Sequence, residues 1–442
     1  MKRLILIVII LALGLQAQAI DLRAESPPPQ DVSEQAKRLK AFDIVWRTVN
    51  DRHFDSTFGG LDWARVKERY EPLASAAKTD DELYEVLRKM LAELRQSHFQ
   101  IIPPEALAKA ERTASGKEPP AGYTGIDLRV IEGQAVITRV DAGSPADRAG
   151  LRPGFVIEKI GDVTVEQVRA RHAKKNGPGS DRAIFLYGEL TGRLNGNPET
   201  AVTVSYLDHA DRLHQATIAR EKSKGQVTKP YGNFPPVYAE MESKRLDGNI
   251  GYIRFNFFVP PLMAHIRAAI LRMADARGLI IDLRGNQGGF AGMVNGIAGL
   301  LSSNEVVLGK FKMRSGEQKV LGFPQEGAYT GPLVVLTDGL SASASEVFAA
   351  GMQEINRAVV IGERTAGAVL LSDMVKLPTG ALFQFVFADY KTPKGTLLEG
   401  RGAIPDIEIK LSRRLISKEG DPHIKAAVRS INSKAAARRN EG

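Results

Sequence analysis

The sequence has no cysteine in 442 residues. That excludes disulfides, a thiol nucleophile, zinc held by thiolates and lipid attached through a cysteine. At this length the cores are large enough for stability without cross-links. Past the N-terminal residues there is no apolar run near the roughly 20 residues that cross a bilayer, so no membrane span is expected. Histidine is scarce, seven in all. Six of them (His53, His172, His209, His214, His265 and His423) lack partners at metal-ligand spacing, and no metal or cofactor is expected. Net charge is +9, but Lys and Arg are spread along the chain, with a dense run only from Lys434 to Arg439. A nucleic-acid binder concentrates such charge on one face. No nucleic-acid partner is expected, and residues 416–442 read as a basic, frayed C-terminal tail.

What is present begins with Lys2 and Arg3, an apolar run from Leu4 to Leu13, and the small-residue pattern Ala17-Gln18-Ala19. This order is that of a secretory signal peptide over 1–19, cleaved near Ala19, and implies a periplasmic or secreted protein. Residues 20–30 form a linker stiffened by Pro27-Pro28-Pro29. Over 31–118, Phe42, Val45, Trp46 and Val49, and later Leu83, Val86, Leu87, Met90, Leu91 and Leu94, recur at helical spacing. The texture over 119–222 is β-rich, with strands at 125–128, 135–140, 156–160, 201–206 and 213–218 and a helix-and-loop insertion at 169–197. Over 223–415 short apolar strands (250–255, 278–283, 333–337, 358–361) alternate with helices. This implies a mostly parallel α/β sheet.

Asp338-Gly339-Leu340-Ser341-Ala342-Ser343-Ala344-Ser345-Glu346 lies between a buried strand and a helix. A nucleophile there gains from the helix N-terminus, whose free N–H groups can face a developing oxyanion. Serines in such a turn also serve as plain helix caps. Asp282-Leu283-Arg284-Gly285-Asn286-Gln287-Gly288-Gly289 follows another buried strand and can present backbone N–H groups toward its neighbour. A third run, Gly362-Glu363-Arg364-Thr365-Ala366-Gly367, follows the strand ending near Ile361.

Together these runs resemble the C-terminal-processing, or tail-specific, serine peptidase superfamily, which includes the tricorn core peptidases. The segment Tyr123-Thr124-Gly125-Ile126-Asp127-Leu128, with Ser144-Pro145-Ala146 through Pro153-Gly154, is similar to a PDZ domain of the kind found beside bacterial proteases. The resemblance implies a multidomain α/β protein with an N-terminal helical region, a PDZ-like domain and a spiral α/β (ClpP/crotonase-like) catalytic domain. It implies Ser343 as nucleophile, with an oxyanion hole from the N–H groups of Ala344 and of Gly289 or Gly288. It also implies a peptide-binding loop at Thr124, Gly125, Ile126 and Asp127, and polypeptide substrates. Phe155 stands where the PDZ family usually has Asp.

The general base departs from the better-known branch. There a lysine follows the glycine that matches Gly367; here Ala368 does. The tricorn-like branch uses instead a histidine, an adjacent serine and a glutamate, and the chain offers His98, Ser97 and Glu399 at those places. Two other readings stay open at this point: a Ser–Lys enzyme with a displaced lysine such as Lys376, and an inactive PDZ-bearing scaffold. Lys391 is expected in a solvent-facing loop.

Overall fold

The computed structural model describes residues 33–117, 122–173, 179–232 and 234–440; the expected leader and linker lie outside the described residues. Three helices come first: α1 (Glu34–Arg52), α2 (Trp63–Ala76) and α3 (Asp80–Ala92). Each starts at a capping side chain, Ser33, Asp62 and Thr79, that accepts a backbone N–H of the first turn. α3 opens with Asp80, Asp81 and Glu82, charges that suit the positive end of its dipole. Phe42, Val45, Trp63, Val66, Leu83, Leu87 and Met90 form a core that also takes in Phe383 and Phe385 from far along the chain. Strand β1 (Gln100–Ile102) is followed by α4 (Pro104–Ala114).

The β-rich part runs β2 (Gly122–Tyr123), β3 (Ile126–Ile131), β4 (Gln134–Val140), α5 (Pro145–Arg148), β5 (Val156–Ile160), β6 (Val163–Thr164), α6 (Val165–Ala173), α7 (Gly179–Asn195), β7 (Ala201–Leu207) and β8 (Leu213–Ala219). Its sheet has the order β3-β4-β5-β7-β8, so β3 is an edge strand. A short strand β9 (Glu221–Lys222) pairs with β2 and closes the unit. Phe155 fills the usual Asp position by stacking on Tyr206 at 5.2 Å between centroids.

A hairpin of β10 (Gln226–Val227) and β11 (Tyr238–Ala239) leads into the last part. There follow β12 (Met241–Leu246), β13 (Ile250–Phe255), α8 (Pro260–Arg272), β14 (Gly278–Asp282), α9 (Ala291–Gly299), β15 (Val306–Met313), β16 (Gly316–Gly322), β17 (Leu333–Thr337), α10 (Ala344–Glu354), β18 (Val359–Gly362), β19 (Leu371–Lys376), β20 (Leu382–Lys391) and β21 (Ile407–Glu408). The main sheet has the order β12-β13-β14-β17-β18-β21 and is parallel from β13 onward. Every residue of β14 and β17 is buried, as expected of strands covered on both faces. Ile253, Ile281 and Val335 face a core with helices α8 to α10, while Tyr252, Ile280 and Val334 face the other way.

That second face is covered by a helix expected as a frayed tail. Residues 413–440 form α11 (Arg413–Glu419) and α12 (Pro422–Asn440), and Ala426, Ala427 and Ile431 are buried against the sheet. The small apolar side chains between the basic residues lie on one face, which the charge count alone concealed. A second sheet, β1-β20-β15-β16 with β19 on β20, joins the N-terminal helices to the α/β part through the Gln100–Gln384 register. Among the described residues no helix is long and apolar enough to cross a membrane. The molecule is thus a multidomain α/β protein with a helical N-terminal region and a β-rich domain ahead of the α/β part.

Candidate active site

Two turns leave the C-terminal ends of neighbouring strands β14 and β17, and side chains fasten them to each other. The Asp338 carboxylate accepts the N–H groups of Gly285 at 2.9 Å and Leu340 at 3.0 Å. Ser341 Oγ donates to Leu283 O at 2.8 Å, and Ser345 Oγ to Asn286 O at 2.9 Å. These two serines are therefore buried fasteners, in line with turn and cap roles. Ser343 between them differs. Of residues 341–350 it alone is not buried, and its backbone sits at φ 55° and ψ −118°, an uncommon place for a residue with a Cβ. Its N–H donates to Ala368 O at 2.7 Å, which ties the turn to the loop after β18.

Gly288 and Gly289 arrive beside it from the β14 turn. A Cβ on Gly288 would lie 2.7 Å from Ser343 Cβ and 2.8 Å from Ala344 N. Gly289, at φ 134°, packs on the Phe258 carbonyl, where any side chain would collide. The Gly288 N–H donates to Asn286 Oδ1 at 2.9 Å. Among the described residues the N–H groups of Gly289 and Ala344 meet no protein acceptor. Of the two glycines, Gly289 is therefore the one whose N–H stays free. Sequence reasoning missed Asn286, whose buried side-chain oxygen takes up the Gly288 N–H while its amide nitrogen donates to Phe255 O at 2.8 Å.

Ser97 and His98 sit in the tight loop between α3 and β1, with His98 at φ 64°. Ser97 Oγ lies 2.7 Å from His98 Nδ1 and donates to Glu399 Oε2 at 3.0 Å. The Ser97 N–H donates to Glu399 Oε1 at 2.8 Å, and Val369 N–H to Oε2 at 3.0 Å. Ser97 has one hydroxyl proton, and a carboxylate only accepts. With that proton on the Glu399 side, Ser97 Oγ accepts from His98 Nδ1–H, and His98 Nε2 carries the free lone pair. Burial pushes the His98 pKa down to about 4, so the imidazole is neutral at pH 7. Burial raises the Glu399 carboxyl against the pull of its three donors. His98 and Ser343 make no direct hydrogen bond here; their link runs through Ser97, Glu399, Val369 and Ala368.

Glu346, one turn into α10, is a further residue that the sequence reading passed over. Its buried carboxylate accepts from Thr365 Oγ1 at 2.5 Å and from the N–H groups of Gly367 (2.8 Å), Ala368 (2.9 Å) and Ser343 (3.1 Å). Burial pushes its pKa up to about 7, with those four donors pulling the other way. Ala368, at the dyad-lysine position of the better-known branch, is buried and held by Glu346. Lys376 is exposed at the end of β19. Lys391 closes strand β20 opposite Lys310, a correction to the loop expected for it: Tyr390 and its neighbours pair with β15.

The expected peptide-binding side chains are placed differently from one another. Thr124 is buried and its hydroxyl donates to Asn195 Oδ1 at 3.0 Å. Gly125, at φ 83°, packs on Ser144, and the Ile126 side chain belongs to the core. Asp127 is buried, meeting Arg129 at 2.6 Å, Arg254 at 2.7 Å and the Tyr187 hydroxyl at 3.2 Å. Burial alone would raise its pKa, but Arg129 and Arg254 hold it well below the carboxylate range. The Thr124 and Asp127 side chains are thus spent inside the protein. Arg129 also donates to Asp338 at 2.7 Å, so the charge pairs continue from β3 into the turn that carries Ser343. The open feature is the outer edge of β3, beside a cavity of about 770 Å³ lined by Val130, Leu186, Leu340, Glu363, Lys410 and Leu411, among others.

A strand-to-helix serine, a glycine turn with a free N–H and a parallel α/β sheet define the class: a serine-type peptidase. Residues 249–409 match the model of peptidase family S41, residues 34–92 the tricorn protease C1 domain and residues 136–170 the PDZ domain. The α/β part that carries Ser343 is thus similar to peptidase family S41. It is 27% identical over 423 residues to the carboxyl-terminal-processing protease of Synechocystis, covering 95% of this chain and 92% of that one. It is 28% identical to the chloroplastic C-terminal processing peptidase of Tetradesmus obliquus, covering 87% and 80%. The fold is similar to that of the photosystem II D1 C-terminal processing protease, with a TM-score of 0.57, 23% identity and coverage of 91% and 98%.

Proposed function

We propose that the chain is an exported endopeptidase that cleaves unfolded or C-terminal peptide segments through an acyl-enzyme, with Ser343 as nucleophile and His98 as general base. In the order of its parts this is the tricorn-like arrangement. The observation that carries the reading is Ser97 Oγ, hydrogen-bonded both to His98 Nδ1 and to Glu399. That pair of bonds fixes the tautomer in which Nε2 can take a proton. Substrate binding closes the remaining step from Nε2 to Ser343 Oγ, as catalytic hydrogen bonds commonly tighten only in the substrate complex.

Ser343 Oγ attacks the scissile carbonyl as His98 Nε2 takes its proton. The N–H groups of Gly289 and Ala344 receive the developing oxyanion. Collapse expels the amine, which takes the proton back from His98, and leaves the acyl group on Ser343. Water, deprotonated by the same imidazole, then releases the acid. Ser97 and Glu399 are positioning residues in this scheme.

The PDZ domain captures an extended peptide as an added strand on the open β3 edge, raising its effective concentration at Ser343. The signal-peptide pattern of residues 1–19 supports export to the periplasm or beyond. Single-turnover cleavage of an unfolded protein by the Ser343→Ala and His98→Ala variants tests the core of the proposal. Both should lose nearly all activity, and an active His98→Ala variant would remove His98 from the reaction.

A further inference from the structure

We infer that Tyr231, Phe234 and Phe290 form an aromatic wall that selects a large apolar side chain on the substrate residue supplying the scissile carbonyl. This rests on the assignment of Ser343 and the Gly289 and Ala344 N–H groups to the reaction. Phe290 directly follows Gly289, so its Cα lies about 3.8 Å from that of the oxyanion glycine. Its N–H donates to Phe258 O at 2.8 Å, and a parallel bridge joins Phe258 to Gly289. The backbone that aims the Gly289 N–H therefore also fixes the root of the Phe290 ring.

The other two rings come from the tip of the β10–β11 hairpin. Tyr231 and Phe234 exchange backbone hydrogen bonds at 3.1 and 3.0 Å, which holds the two residues opposite each other. Both reach Phe290: the Tyr231 ring meets it edge-on at 4.8 Å between centroids and 83°, and Phe234 lies at 5.0 Å and 52°. A connector between the PDZ and catalytic parts thus sends two aromatic side chains to the residue next to the oxyanion donor.

Tyr231 nevertheless keeps 63% of its surface exposed, the second most exposed large apolar side chain described after Leu213. An exposed ring resting on two half-buried ones, next to the glycine assigned to the oxyanion, is a binding surface, since leaving it in water forgoes the burial it offers. The occupant follows from the chemistry of the hole. With the scissile carbonyl oxygen on Gly289, the side chain of that same substrate residue is the group nearest Phe290. Phe, Tyr, Leu and Met can cover the rings, whereas Ala and Gly leave them wet and Asp or Glu lose hydration against them.

The test is a digest of an unfolded protein such as casein by the full chain, with cleavage sites and their relative rates read by mass spectrometry. Wild type should cut after Phe, Tyr, Leu or Met at least about tenfold faster than after Ala or Gly. Tyr231→Ala and Phe290→Ala should each lower that ratio several-fold. Phe290 is half-buried, so the exposed Tyr231 supplies the arm that does not risk the fold. A wild type without the preference, or a Tyr231→Ala variant that keeps it in full, overturns the inference. Ser343→Ala run in parallel separates the failures. If it still cleaves, the site assignment falls as well; if it is inactive, only the aromatic wall is at stake.

Discussion

Ser97 and Glu399, 302 residues apart in the sequence, hold each other by two hydrogen bonds, one from the serine backbone at 2.8 Å and one from its hydroxyl at 3.0 Å. The contact joins the end of the N-terminal helices to the loop after β20 and leaves the hydroxyl facing His98. In the proposed mechanism both residues orient the imidazole and neither moves a proton to substrate. Ser97→Ala and Glu399→Gln should therefore lower kcat on the order of 10²-fold or less, the scale of a small misplacement. His98→Ala should cost about 10²–10⁴-fold. Steady-state kinetics on one substrate ranks them; equal losses for all three would argue against separate roles.

The pH profile of kcat/KM follows from the burial of His98. Its pKa is pushed down to about 4, and only the neutral ring accepts the Ser343 proton. Activity should therefore persist through pH 6 and fall on the acid side toward pH 4, below the usual histidine range. An acid limb centred near 6.5 would mean that the ring titrates as an exposed histidine does.

Gly289→Ala places a side chain against the Phe258 carbonyl and shifts the free N–H. Loss of one oxyanion donor costs roughly 10²–10³-fold in kcat. The KM should change far less, because the donor acts on charge that develops in the transition state. A Gly289→Ala enzyme with an unaltered kcat would place the oxyanion elsewhere.

Glu346→Ala strips the Thr365 hydroxyl and the Gly367 and Ala368 N–H groups of their acceptor in a buried place, leaves the Ser343 N–H only the Ala368 carbonyl, and each unsatisfied group costs about 1–3 kcal/mol. The variant should melt at a clearly lower temperature and turn over slowly, since Ser343 N and Ala368 N both lean on this carboxylate. Thermal unfolding followed by circular dichroism checks the first part. A melting curve identical to that of wild type would show the four bonds to be dispensable.

The parts of this site legible in the sequence are the local ones. A buried strand, a small-residue turn and a helix fix where Ser343 stands, and Gly288-Gly289 announce a turn through their composition. What escaped reading depends on partners distant in the chain. Asn286 accepts the Gly288 N–H from two residues on, a local turn bond, but its amide is held in place by the Phe255 carbonyl 31 residues earlier, which its own segment does not signal. Asp127 resembles an exposed loop residue until Arg254, 127 positions later, is found against it. The α12 helix was obscured for another reason: its basic residues dominate the count while Ala427 and Ile431 do the packing. The Ser97-His98 loop was located by pattern, but only the pairing of β1 with β20 brings it beside the loop that carries Glu399.

The proposed mechanism turns on the identity of the base. Single-turnover cleavage of one unfolded substrate should be measured for wild type and for the Ser343→Ala, His98→Ala, Lys376→Ala and Lys391→Ala variants, each shown to be folded. With His98 as the base, the serine and histidine variants lose nearly all cleavage while both lysine variants retain it. An active His98→Ala enzyme, with the loss moved to Lys376→Ala or Lys391→Ala, would contradict it.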